Sequence, residues 1–81
     1  MTGVFPVHTK TELDLCGIVS PVCILKCKST LQGLPSGSVL DVLVGDPEVV
    51  KDLVKIIERS RDRVIRVLEE DSRHRVSIER H

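Results

Sequence analysis

The sequence predicts an α/β (α+β) two-layer sandwich of element order β-α-β-α-β-β, a mixed four-stranded sheet with two helices on one face. Three observations lead there. Ser20-Pro21 and Asp46-Pro47-Glu48 carry helix-start chemistry, and each opens a stretch of helical apolar spacing. Thr11–Leu15 and Val39–Val44 read as strands that precede those helices. Arg63–Glu69 and Arg75–Arg80, separated by Glu70-Asp71-Ser72-Arg73, read as a terminal hairpin. Two helices with apolar stripes need one sheet face to cover, which gives two layers. The right-handed crossover rule makes the first two strands parallel neighbours.

The elements follow in chain order. Residues 1–10 show no period and read as a loosely held arm, leaving 11–81 as one domain. In Thr11–Leu15, Leu13 and Leu15 alternate with Glu12 and Asp14, the pattern of a half-buried strand. Gly17 relaxes the backbone for the turn that follows. Ser20 then fits the N-cap and Pro21 the first helical position, in a helix running to Leu31 or Gln32. At 100° per residue, Cys23, Ile24, Cys27 and Leu31 share its inner face, while Lys26 and Ser29 lie away from it. Gly33 is the expected stop. Val39–Val44 is apolar except for Asp41 and reads as a central strand buried on both sides. Asp46 caps a second helix in which Val49, Val50, Leu53, Val54, Ile56 and Ile57 form one wide stripe, with an end expected near Arg61.

Composition narrows the function classes. The chain has 81 residues, room for one modest core. Its formal net charge is zero and it has one Phe and no Trp or Tyr, so it offers neither a basic footprint nor stacking platforms for nucleic acid. No apolar run approaches membrane-spanning length, and the start lacks signal-peptide character, so a cytoplasmic setting and no membrane partner are expected. Three cysteines, an odd number, argue against a disulfide framework. Cys16-x6-Cys23-x3-Cys27 is not a zinc spacing, and no metal or cofactor is expected.

The candidate chemistry gathers between Asp14 and Lys28. Ser20 reads as a cap, or as a hydroxyl held at the positive end of a helix; no histidine is spaced to activate it as a nucleophile. Cys23 lies in the first turn and reads either as a buried small hydrophobe or as a thiol whose anion the helix end stabilises. Cys27 reads as core, and Cys16 as the thiol nearest solvent. Lys26 and Lys28 read as solvated helix residues, or as attractors of an anion or acidic partner surface.

The stretch Leu13-Asp14-Leu15-x-Gly17-Ile18-x-x-Pro21, followed by Lys26-x-Lys28, resembles the signature of the TusA/SirA-type sulfur carriers. Pro35-Ser36-Gly37 and Gly45-Asp46-Pro47 have counterparts in that family as well, so the resemblance covers roughly residues 11–80. It implies the same sandwich, and a role in sulfur relay: a cysteine opening the first helix takes up sulfur as a persulfide and passes it between sulfur-donor and sulfur-acceptor proteins. It also implies that the family's Cys-Pro-x-Pro cysteine falls at Ser20 and its second proline at Cys23. Serine forms no persulfide. The carried-over site is therefore Ser20, with Cys23 as a surrogate thiol and Gly17, Pro21, Lys26 and Lys28 around it to hold an anion or a partner. Two functions follow: a monomeric cytoplasmic sulfur carrier altered at its key atom, or an interaction and regulatory module that keeps the fold without transfer.

Overall fold

The computed structural model describes residues 10–81; the arm expected over residues 1–10 falls, but for Lys10, outside the described residues. The order is β1 (Lys10–Asp14), α1 (Ser20–Gln32), β2 (Val39–Val44), α2 (Pro47–Glu58), β3 (Arg63–Glu70) and β4 (Arg73–Glu79). The sheet runs β1-β2-β4-β3. β1 and β2 are parallel, and the two other pairings are antiparallel. The β-α-β-α-β-β sandwich with a mixed sheet is therefore the architecture found.

Pleating decides which residues meet the helices. Leu40, Val42 and Val44 of β2 and Val76 and Ile78 of β4 point to one face. There they join Cys23, Cys27 and Leu31 of α1 and Val49, Leu53 and Ile57 of α2 in a single core. Both helices thus cover the same face. The second-helix stripe is narrower than the sequence spacing suggests: Val49, Leu53 and Ile57 are buried, while Val50, Val54 and Ile56 are half-buried.

β2 is buried on its other face too, though among the described residues no helix lies there. Asp41 is 1% exposed. Its carboxylate accepts from Ser77 Oγ at 2.7 Å and from Arg75 Nη1 at 3.1 Å. The same guanidinium donates to Glu12 at 2.7 Å and to Glu70 at 3.1 Å, so one arginine ties together all four strands. A buried carboxylate is tolerable only with such partners. These contacts, Glu12 first, hold the Arg75 guanidinium even more firmly charged than usual.

Several boundaries differ from the sequence expectations. α1 begins one residue early: Val19 is its cap position, with φ −64° and ψ 150°, and Ser20 is the first helical residue rather than the cap. α2 stops at Glu58 rather than near Arg61, because Ser60 closes it, its hydroxyl donating to Ile57 O at 2.6 Å. β4 begins two residues early, at Arg73, because Asp71 and Ser72 both adopt positive φ, 43° and 66°. Those angles make a two-residue hairpin turn of the primed type, whose twist matches the strands and keeps Glu70 paired with Arg73. β1 spans Lys10–Asp14 instead of Thr11–Leu15, although the Leu15 N–H still reaches Leu43 O at 2.8 Å.

Leu53 is fully buried between the helix layer and the sheet. Leu53→Ala is expected to lower unfolding free energy by about 2–5 kcal/mol, measured by chemical denaturation; a loss below about 1 kcal/mol would place the stripe in solvent.

Candidate functional site

The carboxyl ends of the parallel strands β1 and β2 lead directly into α1 and α2, so both helix N-termini arrive at the same end of the sheet. Between them lies a cleft of about 460 Å³ whose walls include Leu15, Gly17, Ile18, Val19, Val44 and Asp46. The turn from β1 into α1 is built tightly. The Asp14 carboxylate accepts the Cys16 N–H at 3.0 Å, and Ile18 N–H bonds back to Leu15 O at 3.2 Å. Gly17 sits at φ +81°, a left-handed angle that a side chain would strain.

The two helix starts differ in how their free N–H groups are treated. At α2, the Asp46 carboxylate accepts from Glu48 N at 2.9 Å, and Glu48 adds a negative charge in the first turn. At α1 the cap position is a valine, which offers no side-chain acceptor, and the first turn holds no acid. The first N–H of α1 with an intrahelical partner is that of Cys23, to Val19 O at 2.9 Å. The N–H groups of Ser20 and Val22 therefore complete the positive end of the helix without one, Pro21 having none to give.

The three thiols are placed differently. Cys23 and Cys27 are fully buried in the core. Burial pushes the Cys23 thiol up, with the neighbouring Cys16 adding to it. Burial also pushes Cys27 from the ordinary 9.0 to about 12, with Cys23 and Asp62 contributing. Cys23 thus points into the core rather than out toward the helix start as a ready surrogate thiol. Cys16 is half-exposed. Its thiol is raised as well, by burial first and then by Asp14. Asp14 in turn is lowered, chiefly by the Cys16 hydrogen bond.

Of the residues singled out in the sequence, Gly17, Ser20 and Pro21 come together at the start of α1. Lys26 is exposed further along the helix. Lys28 goes elsewhere: about 12 Å beyond Ser20 at 1.5 Å per residue, it lines a second cleft at the far ends of the helices with Gln32, Arg61, Asp62 and Arg80. Sequence reasoning missed an apolar patch. Val19, Val22 and Leu25 are 68%, 42% and 66% exposed beside the helix start. The signal was available, since Val22 and Leu25 lie roughly opposite Cys23, Cys27 and Leu31 at 100° per residue. Among the described residues no group of His, Cys, Asp and Glu is arranged to hold a metal ion. No helix there is long and apolar enough to cross a membrane.

The frame is a small sandwich whose first helix starts without a side-chain cap at the end of a parallel strand pair. Comparison with known proteins gives that frame a family. The family model for sulfurtransferase TusA matches residues 11–80. A sulfur carrier protein TusA from Allochromatium vinosum is 33% identical over 69 residues, covering 85% of this chain and 91% of that protein. The crystal structure of a SirA-like protein from Desulfitobacterium hafniense superimposes with a TM-score of 0.78 at 27% identity, covering 88% of this chain and 96% of that one. The chain belongs to the TusA family of sulfur carriers.

Two outcomes follow from the geometry. In native alkylation near neutral pH, read by intact mass, Cys16 is expected to react slowly and alone, and Cys23 and Cys27 only after unfolding. Titration with sulfate or thiosulfate, followed by amide NMR, should move Ser20 and Val22 first; shifts scattered over the surface would mean that no anion site is formed there.

Proposed function

We propose that this chain acts in cytoplasmic sulfur relay as a partner-docking protein that transfers no sulfur of its own. The observation that supports this most is the state of its thiols: Cys23 and Cys27 are buried, half-exposed Cys16 is raised above an ordinary thiol, and none is a ready nucleophile. At the position where the resemblance puts the family's cysteine stands a serine. What remains is a recognition surface: the α1 start at Gly17, Ser20 and Pro21, the apolar patch of Val19, Val22 and Leu25, and the positive charge of Lys26. Donor and acceptor proteins of a sulfur relay, which bring an anionic persulfide and an acceptor thiolate respectively, are its natural partners.

The uncapped start of α1 favours a second reading, in which position 20 is a carrier position awaiting a thiol. In sulfur transfer the acceptor thiolate attacks the terminal sulfur of the donor persulfide. A new S–S bond forms, the donor's S–S bond breaks, and the donor leaves as a thiolate. A thiol at the first helical position would be drawn toward its anion by the helix end.

One experiment separates the readings. The protein and its Ser20→Cys variant are incubated with a persulfide donor and weighed intact. The protein as it stands should gain no sulfur, and Ser20→Cys should gain one sulfur atom at position 20 and alkylate faster than Cys16. Sulfur mapped to Cys16 or Cys23 in the unchanged protein would overturn the docking-only reading. A thiol at position 20 reacting no faster than Cys16 would show that the helix start activates nothing.

A further inference from the structure

Among the described residues, β3 has one strand neighbour, β4, so its outer edge carries backbone donors and acceptors that no strand satisfies. Three apolar side chains stand out on it, Ile65 and Val67 at 45% exposed and Leu68 at 40%. Its charges are sorted along its length: Arg63 and Arg66 come first, Glu69 and Glu70 last. An edge that is apolar in the middle, basic at one end and acidic at the other is complementary to itself run backwards.

We propose that β3 pairs antiparallel with β3 of a second copy, about a two-fold axis through Val67. The register follows from the backbone. The ladder with β4 shifts between Val64 and Arg66, so Ile65 and Arg66 share one position in the ladder. Counting them as one, Val67 has three positions on either side of it. The two-fold then sets Val67 against Val67 of the second copy, Ile65 and Arg66 against its Leu68, Val64 against its Glu69, and Arg63 against its Glu70.

Two independent features agree with this register. The first is which way the backbone points. The Val64 N–H donates to Glu58 Oε2 at 3.4 Å, away from β4. Alternation along the strand then turns Val67 and Glu69 outward as well. These are the residues whose N–H and C=O groups the pairing uses; among the described residues the long, exposed Glu58 contact is the backbone bond that must give way, and Arg63 and Glu70 share their charges with Glu79 and Arg75. The second is charge. Antiparallel pairing forms an Arg63–Glu70 ion pair at each end, whereas parallel pairing would set arginine on arginine and glutamate on glutamate. An unrelated partner would need the reverse charge order on its own edge; a second copy supplies it by symmetry. The paired form replaces the monomer expected from the sequence.

The test is light scattering of the chromatographed protein over a range of concentrations, with hydrogen exchange read at single amides. A dimer should grow with concentration, and the Val67 amide should exchange more slowly in it. Val67→Lys puts two like charges on the axis and should leave a monomer at every concentration, with an unchanged circular dichroism spectrum. Arg63→Glu should weaken pairing about tenfold by opposing like charges, and adding Glu70→Arg should restore it. The double variant lacks both the in-chain Arg63–Glu79 pair and the Glu70–Arg75 bond of the strand clamp, so recovery of pairing with an unchanged circular dichroism spectrum reports the contact between copies. A protein that stays monomeric up to about millimolar concentration, a dimer indifferent to Val67→Lys, or an edge filled only by a different protein would each overturn the proposal.

Discussion

A strand buried on both faces beneath helices on only one of them sets the terms for the whole molecule. On the helix side, β2 contributes Leu40, Val42 and Val44 to the core. On the other side, where no helix lies among the described residues, Asp41 is buried with Ser77 and Arg75 among its partners. Arg75 also reaches Glu12 on one edge strand and Glu70 on the other, so the cluster acts as a clamp across the sheet. Removing one member of a buried ion pair costs far more than replacing both, because a lone charge is left behind. That asymmetry ties the identity of Asp41 to that of Arg75.

The α1 and α2 starts show how alike two sequence signals can be while their physics differs. Ser20-Pro21 and Asp46-Pro47 both announce a helix. The second is a true cap, with its carboxylate on the Glu48 amide. The first is offset by one residue, so the cap position falls on valine and the helix end keeps its field. The α1 end is thereby left without the side-chain acceptor that Asp46 gives α2. Stability is conceded at α1 and recovered at α2.

The sequence made the element order legible because each element carried its own local rule: alternation in β1, punctuation at Gly17 and Gly33, and an apolar stripe in α2. What it concealed depended on tertiary contact. Asp41 in an apolar run gave no hint that Ser77 and Arg75, more than 30 residues on, would make its burial possible. The tightness of the hairpin turn, two residues rather than four, escaped because Asp71 and Ser72 are not the glycine pair that marks such turns. Lys28 was grouped with the helix start by proximity in sequence, yet two turns of helix carry it to the opposite cleft. Val22 and Leu25 stand out only once the inner face of α1 is fixed by Cys23, Cys27 and Leu31, which leaves them exposed on the opposite side.

The strand order also dictates how the molecule assembles. β3 and β4 are joined by two residues and can zip locally, but β2 finds its neighbour in β4 only after α2 and β3 have been laid down. β1, an edge strand paired to β2 alone, docks across the whole length of α1. Long loops close late, and the least-tied edge opens first. Because β1 leads into the Gly17 turn and the start of α1, that helix start hangs on an edge strand. Opening of β1 would therefore loosen the start of α1 while the rest of the sheet stays folded.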